Sequence, residues 1–302
     1  MKPFFSVVIP TYNRAEKLRR TIGSVLAQSF PDFEVLVMDD GSTDGTKAVV
    51  ESFDDSRIRY DWASNSGGPA TPRNRGIDAA TTDWVCFLDA DDLWHPDKLD
   101  QVARCIEANP GADLICHDVV TSVEASGKKF TSRCGPFERD LYRVMLTEGC
   151  QVITSATTVR REFLNRHGLR FNTSPDYVIV EDYDLWLRIA LAGGRFRQIR
   201  QPLGVYVIER GNISSDLTKF NRNHMTLLKA HVYHLQTFDP DKDRLWRKIT
   251  SHLLLDRART LIAENRFALG IQSLVKGFRG APASSVLYIG SKFARRIRKY
   301  VP

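Results

Sequence analysis

Short apolar and β-branched runs, each followed by a helical pattern, set the strongest limit on what this chain can become. Ser6–Pro10, Glu34–Met38, Ile58–Tyr60 and Trp84–Leu88 read as strands. Behind Asn13, a candidate N-cap, Leu18, Ile22, Val25 and Leu26 fall on one helix face, and Leu99, Val102 and Ile106 do so further on. Strands alternating with helices build βαβ units, whose crossovers return the chain to run parallel. The expected fold class is α/β, with a mainly parallel central sheet flanked by helices. From about 110 the pattern loosens: Leu114–Cys116 and Val152–Thr158 read as strands and 125–135 as an irregular loop. A helix starts near Glu181, with Leu185, Trp186, Ile189 and Ala190 on one side. After Asn212 strand patterns cease, and 216–236, 242–264 and 266–278 have helical period. The expected division is a domain over 1–215 and a helical C-terminal extension over 216–302.

The 302 residues, 42% hydrophobic, suffice for one large core or two smaller ones. No apolar run approaches the roughly 18 residues of a spanning helix, and the run from Phe4 to Ile9 is too short for a secretory segment. The expected location is cytoplasmic, with peripheral attachment at the inner face of the cell membrane as an extension of that reading. Five cysteines, odd in number and never spaced CxxC, predict reduced, mostly buried thiols. The net charge of +7 is unevenly held: 216–302 carry 17 Lys and Arg against 6 Asp and Glu, whereas 1–215 carry 26 against 30. A main fold with an acidic balance argues against a nucleic-acid partner.

In a doubly wound sheet, ligands bind beyond the carboxyl ends of the strands. Asp39-Asp40 follow one strand here, and Asp89, Asp91 and Asp92 follow another. Packed carboxylates need a cation or a hydrogen-bonding ligand to stay ionised together. An Asp-x-Asp whose shell is completed by substrate phosphates suits Mn²⁺ or Mg²⁺, hard cations that take oxygen ligands. Read singly, Asp39, Asp40 and Asp92 serve equally well as helix caps and turn formers.

Five segments in order, SVVIPTYNR (6–14), VLVMDDGSTDGT (35–46), NSGGPATPRNRGI (65–77), FLDADDLWHPDKL (87–99) and EDYDLWLR (181–188), resemble the inverting glycosyltransferases of family 2, which have the GT-A fold. The resemblance covers about residues 4–215. It implies a nucleoside diphosphate sugar donor, UDP-linked first among them, and a glycan or lipid-linked acceptor. Pro10, Thr11, Tyr12 and Asn13 would line the base, and Asp40 would accept a hydrogen bond from a uracil imide. Gly67 and Gly68 would let the backbone approach the donor, with Arg73 at the diphosphate or holding that loop. Asp89, Ala90 and Asp91 form the Asp-x-Asp, in which Asp91 would ligate the metal and Asp89 would face the ribose or a metal-bound water. Asp182 would be the catalytic base, deprotonating the acceptor, with Glu181 as its supporting hydrogen-bonder. Without the resemblance, both acids read as charges complementing a helix N-terminus. Trp186 reads as core, and Trp94 and Tyr177 as acceptor contacts.

The chain departs from the family pattern at 205–214, VYVIERGNIS, where a His or basic triplet is common; Arg210 is then the candidate for stabilising the departing diphosphate. Pro72, where Ala is frequent, stiffens its loop. A catalytically silent sugar-nucleotide-binding or regulatory protein is the alternative reading. A receiver domain fits poorly with the length and the EDYDLWLR segment, and a nucleotidyltransferase would open on a glycine-rich loop instead of PTYNR. The C-terminal segment 284–301 places Val286, Ile289, Phe293, Ile297 and Tyr300 on one stripe with basic residues away from it. Such a segment suits an anionic membrane surface or packing on the preceding helices, and those helices could equally form a homodimer.

Overall fold

The computed structural model describes residues 4–135, 137, 140–150, 152–209, 216–263 and 265–298, the side chains of 291–298 excepted. The chain packs as two compact units: Met1–Tyr142 with Cys150–Leu227, and Arg143–Gly149 with Leu228–Pro302.

The first unit is mixed α/β. Its sheet begins with β1 (Phe5–Thr11), β2 (Phe33–Asp39), β3 (Ile58–Trp62) and β4 (Trp84–Phe87), which pair in parallel in the order β3-β2-β1-β4. It continues through β8 (Thr157–Arg160), β6 (Leu114–Val123), β9 (Phe196–Ile208) and β5 (Leu93–Trp94), with β7 (Lys128–Ser132) paired to β6. β8 runs antiparallel to both neighbours, whereas β6 and β9 are parallel. All seven residues of β1 and of β2 are buried, as expected of strands covered on both faces.

Helix α1 (Ala15–Leu26) buries Leu18, Ile22 and Val25 against this sheet, each worth about 1.5–3 kcal/mol on transfer from water. α2 (Thr46–Glu51), α3 (Ala70–Ala79) and α4 (Lys98–Ala108) follow as crossovers. α3 lies directly on β1: a Cβ on Gly76 would stand 2.3 Å from Val8 Cγ1. Beyond α5 (Leu141–Glu148) and α6 (Arg161–Arg166), α7 (Glu181–Leu191) buries Leu185, Trp186 and Ile189, with Trp186 in the core as expected. α8 (Leu217–Ala230) runs on into a π-helical turn over His231–Leu235. The second unit holds α9 (Lys242–Ala263), α10 (Phe267–Gly280) and α11 (Pro282–Arg298). No helix among the described residues is long and apolar enough to cross a membrane.

Several local expectations are corrected. Residues 128–132 form a strand of the β6–β7 hairpin instead of an irregular loop; its lysines and exposed face are the marks of a guarded edge strand, which lacks a hydrophobic period. β9 has no counterpart in the sequence reading, because Arg197, Arg200, Pro202 and Gly204 break any alternation. Its register slips opposite His117 and Asp118, where Pro202 pairs with Asp118. Residues 154–156 are a 3₁₀ turn that shortens the strand expected from Val152. Asn13 does not cap α1, which starts after Arg14 with no side-chain cap. Cys116 and Cys134, brought to a Cα separation of 6.3 Å by the hairpin, form a disulfide where reduced thiols were expected; Cys86, Cys105 and Cys150 are free.

Candidate active site

The loops after β1 and β2 are built against each other. Asn13, at φ 48°, donates its N–H to Ser42 Oγ (2.8 Å) and accepts from the Thr43 N–H through Oδ1 (2.8 Å). The Ala15 N–H donates to Asp44 Oδ2 (3.2 Å), and the Asp40 N–H to the Thr11 carbonyl (2.9 Å). Asp39 is sealed: its carboxylate accepts from the Ser42 N–H (2.8 Å) and the Tyr60 hydroxyl (2.7 Å). Asp40 accepts from the Ser66 N–H (3.0 Å) and Oγ (2.8 Å), which ties β2 to the 65–68 loop. Gly41 permits this meeting, since at φ +90° a Cβ would come 2.6 Å from the Asn65 nitrogen. Pro10 and Thr11 are buried in the strand, and Tyr12 is exposed beyond it. Gly67 adopts φ +86°, and Gly68 packs on Val178.

The end of β4 is built differently. Thr21 of α1 donates to the carbonyls of Ala90 and Asp92, fixing the turn that carries Asp89 and Asp91. Asp92 is buried, accepting from the Val207 N–H of β9 (2.9 Å) and the Ser155 hydroxyl (2.5 Å). Burial, with the charges of Asp89 and Asp91, holds its carboxyl well above the usual range. Burial and the Asp89 charge push the Asp91 carboxyl up to about 6, against the attraction of Arg14 and Lys17. Lys17 itself pairs with Glu209 at the end of β9.

Arg73, on α3 and 4% exposed, joins the two acidic segments. One nitrogen donates to Asp89 Oδ1 and another to Glu181 Oε1, both at 2.7 Å, while its guanidinium stands 5.2 Å from the Phe171 ring centre. Next to it Asn74 exchanges two hydrogen bonds with the Phe171 backbone, pinning the approach to α7. Asp182 accepts from the Thr154 hydroxyl (2.8 Å) and the Tyr183 N–H (2.6 Å). Burial pushes the Glu181 carboxyl up to about 7 and raises that of Asp182, in both cases against the pull of Arg73. Glu181 Oε2 is buried with no hydrogen-bond partner among the described residues, and Glu181 lines a small cleft between residues 66–71 and 172–178. Ile179 holds φ +79° just before this pair, a left-handed conformation costly for a β-branched residue, about 1–3 kcal/mol. Asn223 of α8 braces the same turn by donating to the carbonyls of Pro175 and Val178.

Thus Asp89, Asp91, Glu181 and Asp182 converge, with Ala90 in the connecting turn and Arg73 between them, while Asp40, Gly67 and Gly68 form the adjoining loop pair. Trp94 is core: its Nε1 donates to the Ser155 carbonyl (2.8 Å) and its ring lies 3.7 Å from Lys98 Nζ. Arg210 lies outside the described residues. Sequence reasoning missed Thr154, Ser155 and Tyr206. Tyr206, on β9, lies within the field of Asp92, Asp89, Asp182 and Asp91; burial and these charges keep its phenol protonated and able to donate. Two aromatic-free hydroxyl residues in a 3₁₀ turn carry no sequence signal, whereas Tyr206 sits in the VYVIERGNIS segment already marked by its departure from pattern.

Asp89 and Asp91 supply the oxygen donors a hard divalent cation takes, and Asp89 Oδ2 is outside the Arg73 contact. Among the described residues no group of three or more His, Cys, Asp and Glu is arranged to hold a metal ion. Two carboxylates fit a cation only where a ligand's own oxygens would finish its shell.

Residues 6–169 match the sequence profile of Glycosyl transferase family 2. The chain is 32% identical over 253 residues to the amylovoran biosynthesis glycosyltransferase AmsB of Erwinia amylovora, spanning 81% of this chain and 79% of AmsB. Its identity to an uncharacterized glycosyltransferase of Nostoc sp. is 34%, over 53% of this chain and about half (52%) of the relative. The Escherichia coli UDP-Glc:alpha-D-GlcNAc-diphosphoundecaprenol beta-1,3-glucosyltransferase WfgD is 29% identical, over 61% of this chain and 68% of its own. Among solved structures, Staphylococcus aureus TarS 1-349 in complex with UDP-GlcNAc superposes with a TM-score of 0.66 at 20% identity, covering 96% of this chain and 92% of that one. The mannosyltransferase PcManGT of Pyrobaculum calidifontis, in complex with GDP-Man and Mn²⁺, gives 0.55 at 20% identity, over 97% and 81%. The likeness to these two is one of fold, which is GT-A-like.

Proposed function

Because this chain belongs to glycosyl transferase family 2 and is thereby a glycosyltransferase, we propose that it moves a sugar from a UDP-linked donor to a glycan or lipid-linked acceptor, with inversion at the anomeric carbon. The observation that carries the reading is the junction at Arg73. One buried guanidinium ties Asp89 to Glu181, so two acidic segments far apart in sequence serve one reaction space.

The acceptor hydroxyl oxygen attacks the anomeric carbon as the bond from that carbon to the diphosphate oxygen breaks. The hydroxyl proton passes to an oxygen of Asp182, and the bonding electrons leave with the nucleoside diphosphate, so no covalent intermediate is needed. Asp182 suits the task because Thr154 and the Tyr183 N–H fix its carboxylate while burial raises its proton affinity. Glu181, locked by Arg73, offers its unpartnered Oε2 to a sugar hydroxyl. Asp40, oriented by Ser66, keeps lone pairs for the imide N–H of a base. Mn²⁺ or Mg²⁺ would be held by Asp91 and Asp89 and, when bound, supplies positive charge opposite the departing diphosphate.

UDP leads because TarS is seen with UDP-GlcNAc and WfgD is described as using UDP-Glc, with a diphosphoundecaprenol acceptor. PcManGT, seen with GDP-Man and Mn²⁺, supports the metal and keeps GDP in the test. Calorimetric titration with UDP, GDP and dTDP, each with Mn²⁺ and with EDTA, decides. The reading expects UDP to bind, more tightly with Mn²⁺. Binding of no nucleotide with the metal present sinks it.

A further inference from the structure

The second unit leaves large apolar side chains exposed on two of its helices. α10 buries Gly270, Ser273 and Gly277 and lies close along α9, where a Cβ on Gly270 would stand 2.6 Å from Ile262 Cγ1 and one on Gly277 3.1 Å from Leu255. Leu274 and Phe278 are half-buried, but Phe267, Ile271 and Val275, four residues apart and therefore on one stripe, are all exposed, Ile271 at 57%. α11 buries Ser285 and Tyr288 but leaves Val286 63% and Leu287 74% exposed. A helix packed for its own stability does the reverse. Large apolar side chains left outward on two successive helices make an apolar surface that the described residues do not cover.

Charge identifies what that is. Residues 265–302 contain eight Lys and Arg and no Asp or Glu. Lys276 and Arg279 stand exposed on α10 itself, beside the apolar stripe. A second copy laid on this face would set its own Lys276 and Arg279 against these and be repelled. Apolar side chains rising from cationic ground match the boundary between acyl chains and anionic headgroups. We propose that the exposed faces of α10 and α11 form a docking surface for an anionic lipid bilayer, through Phe267, Ile271, Val275, Val286 and Leu287 with Lys276 and Arg279. This inference stands apart from the transfer reaction and does not need it.

The test is co-sedimentation of the full chain with vesicles of phosphatidylcholine alone or mixed with phosphatidylglycerol, at low and high salt. The expected result is binding to the mixed vesicles at least about tenfold above the neutral ones, weakened by salt. Phe267→Ser with Ile271→Ser should lower the partition about tenfold or more, and Lys276→Gln with Arg279→Gln about fivefold per cation removed. Both double variants change exposed side chains, so unchanged melting and nucleotide titration would show the effect to be local. The proposal is overturned by equal binding to both vesicle types or by none. It is also overturned if light scattering shows a dimer that Phe267→Ser with Ile271→Ser dissociates while vesicle binding is unchanged, for then a second copy covers the face.

Discussion

Two strand ends carry acidic clusters, and the protein treats them in opposite ways. After β2, Asp39 is saturated by Ser42 and Tyr60, and Asp40 is held by Ser66. Asp39 shapes its loop and Asp40 is oriented by one, each accepting from donors that would otherwise be stranded. After β4, Asp89 has a single protein partner, Arg73, through one oxygen, and Asp91 is set close to it with cations only at a distance. Crowded, desolvated carboxylates cost stability unless a ligand neutralises them. The difference teaches that an acid's place at a strand end does not fix its role; the number of protein donors around it does.

The largest effect should come from Asp182, which stands outside both clusters on α7 but within the field of Asp89. Asp182→Asn keeps the size of the side chain and an acceptor for the Tyr183 N–H but removes the proton acceptor. Transfer should fall by at least ~10² with UDP affinity within a few-fold, measured by initial rates and by calorimetry. Full activity in this variant would dismiss Asp182 as the base. Asp91→Ala should come next, with the Mn²⁺-dependent gain in UDP binding lost, a drop of at least about tenfold, and the melting temperature unchanged or raised. If the variant instead melts lower and keeps its Mn²⁺ response, Asp91 belongs with the loop-shaping acids.

β1, β2 and β4 were legible because they are buried on both faces and so read as apolar runs, whereas β3, half-exposed at the sheet edge, showed only the short stretch Ile58–Tyr60. The acids at β2 and β4 were legible for the same reason, since they mark where those runs stop. What was hidden depends on partners remote in sequence. Arg73 reads as a loop or diphosphate residue until α7 brings Glu181 to it. Thr154 and Ser155 lie in a polar turn whose value comes only from facing Asp182 and Asp92. β9 was invisible because a strand interrupted by Pro202 and charged residues has no period to read.

Asp39→Ala probes the other side of the comparison. It strips the acceptor from the Ser42 N–H and the Tyr60 hydroxyl, an expected loss of about 1–3 kcal/mol of stability in urea unfolding. The Mn²⁺ response of whatever nucleotide binding survives should be intact. A variant as stable as the parent would mean that water replaces the carboxylate and that Asp39 is not structural.

Asp92 follows β4 beside Asp89 and Asp91 in sequence but belongs with the loop-shaping acids by its bonds, and it should give the smallest effect. Its two oxygens are spent on Val207 of β9 and on Ser155. Asp92→Asn retains an acceptor for the Val207 N–H and can turn its amide toward Ser155 Oγ, which has lone pairs to receive it. The expected cost is under about 1 kcal/mol, with the Mn²⁺ response kept, whereas Asp92→Ala strands both donors and should cost about 1–3 kcal/mol. The pair of variants separates geometry from charge. If asparagine removes the Mn²⁺ response as fully as Asp91→Ala does, a negative charge at 92 is needed by the ligand, and the division of acids by their protein donors fails at the acid whose protein donors are most plainly counted.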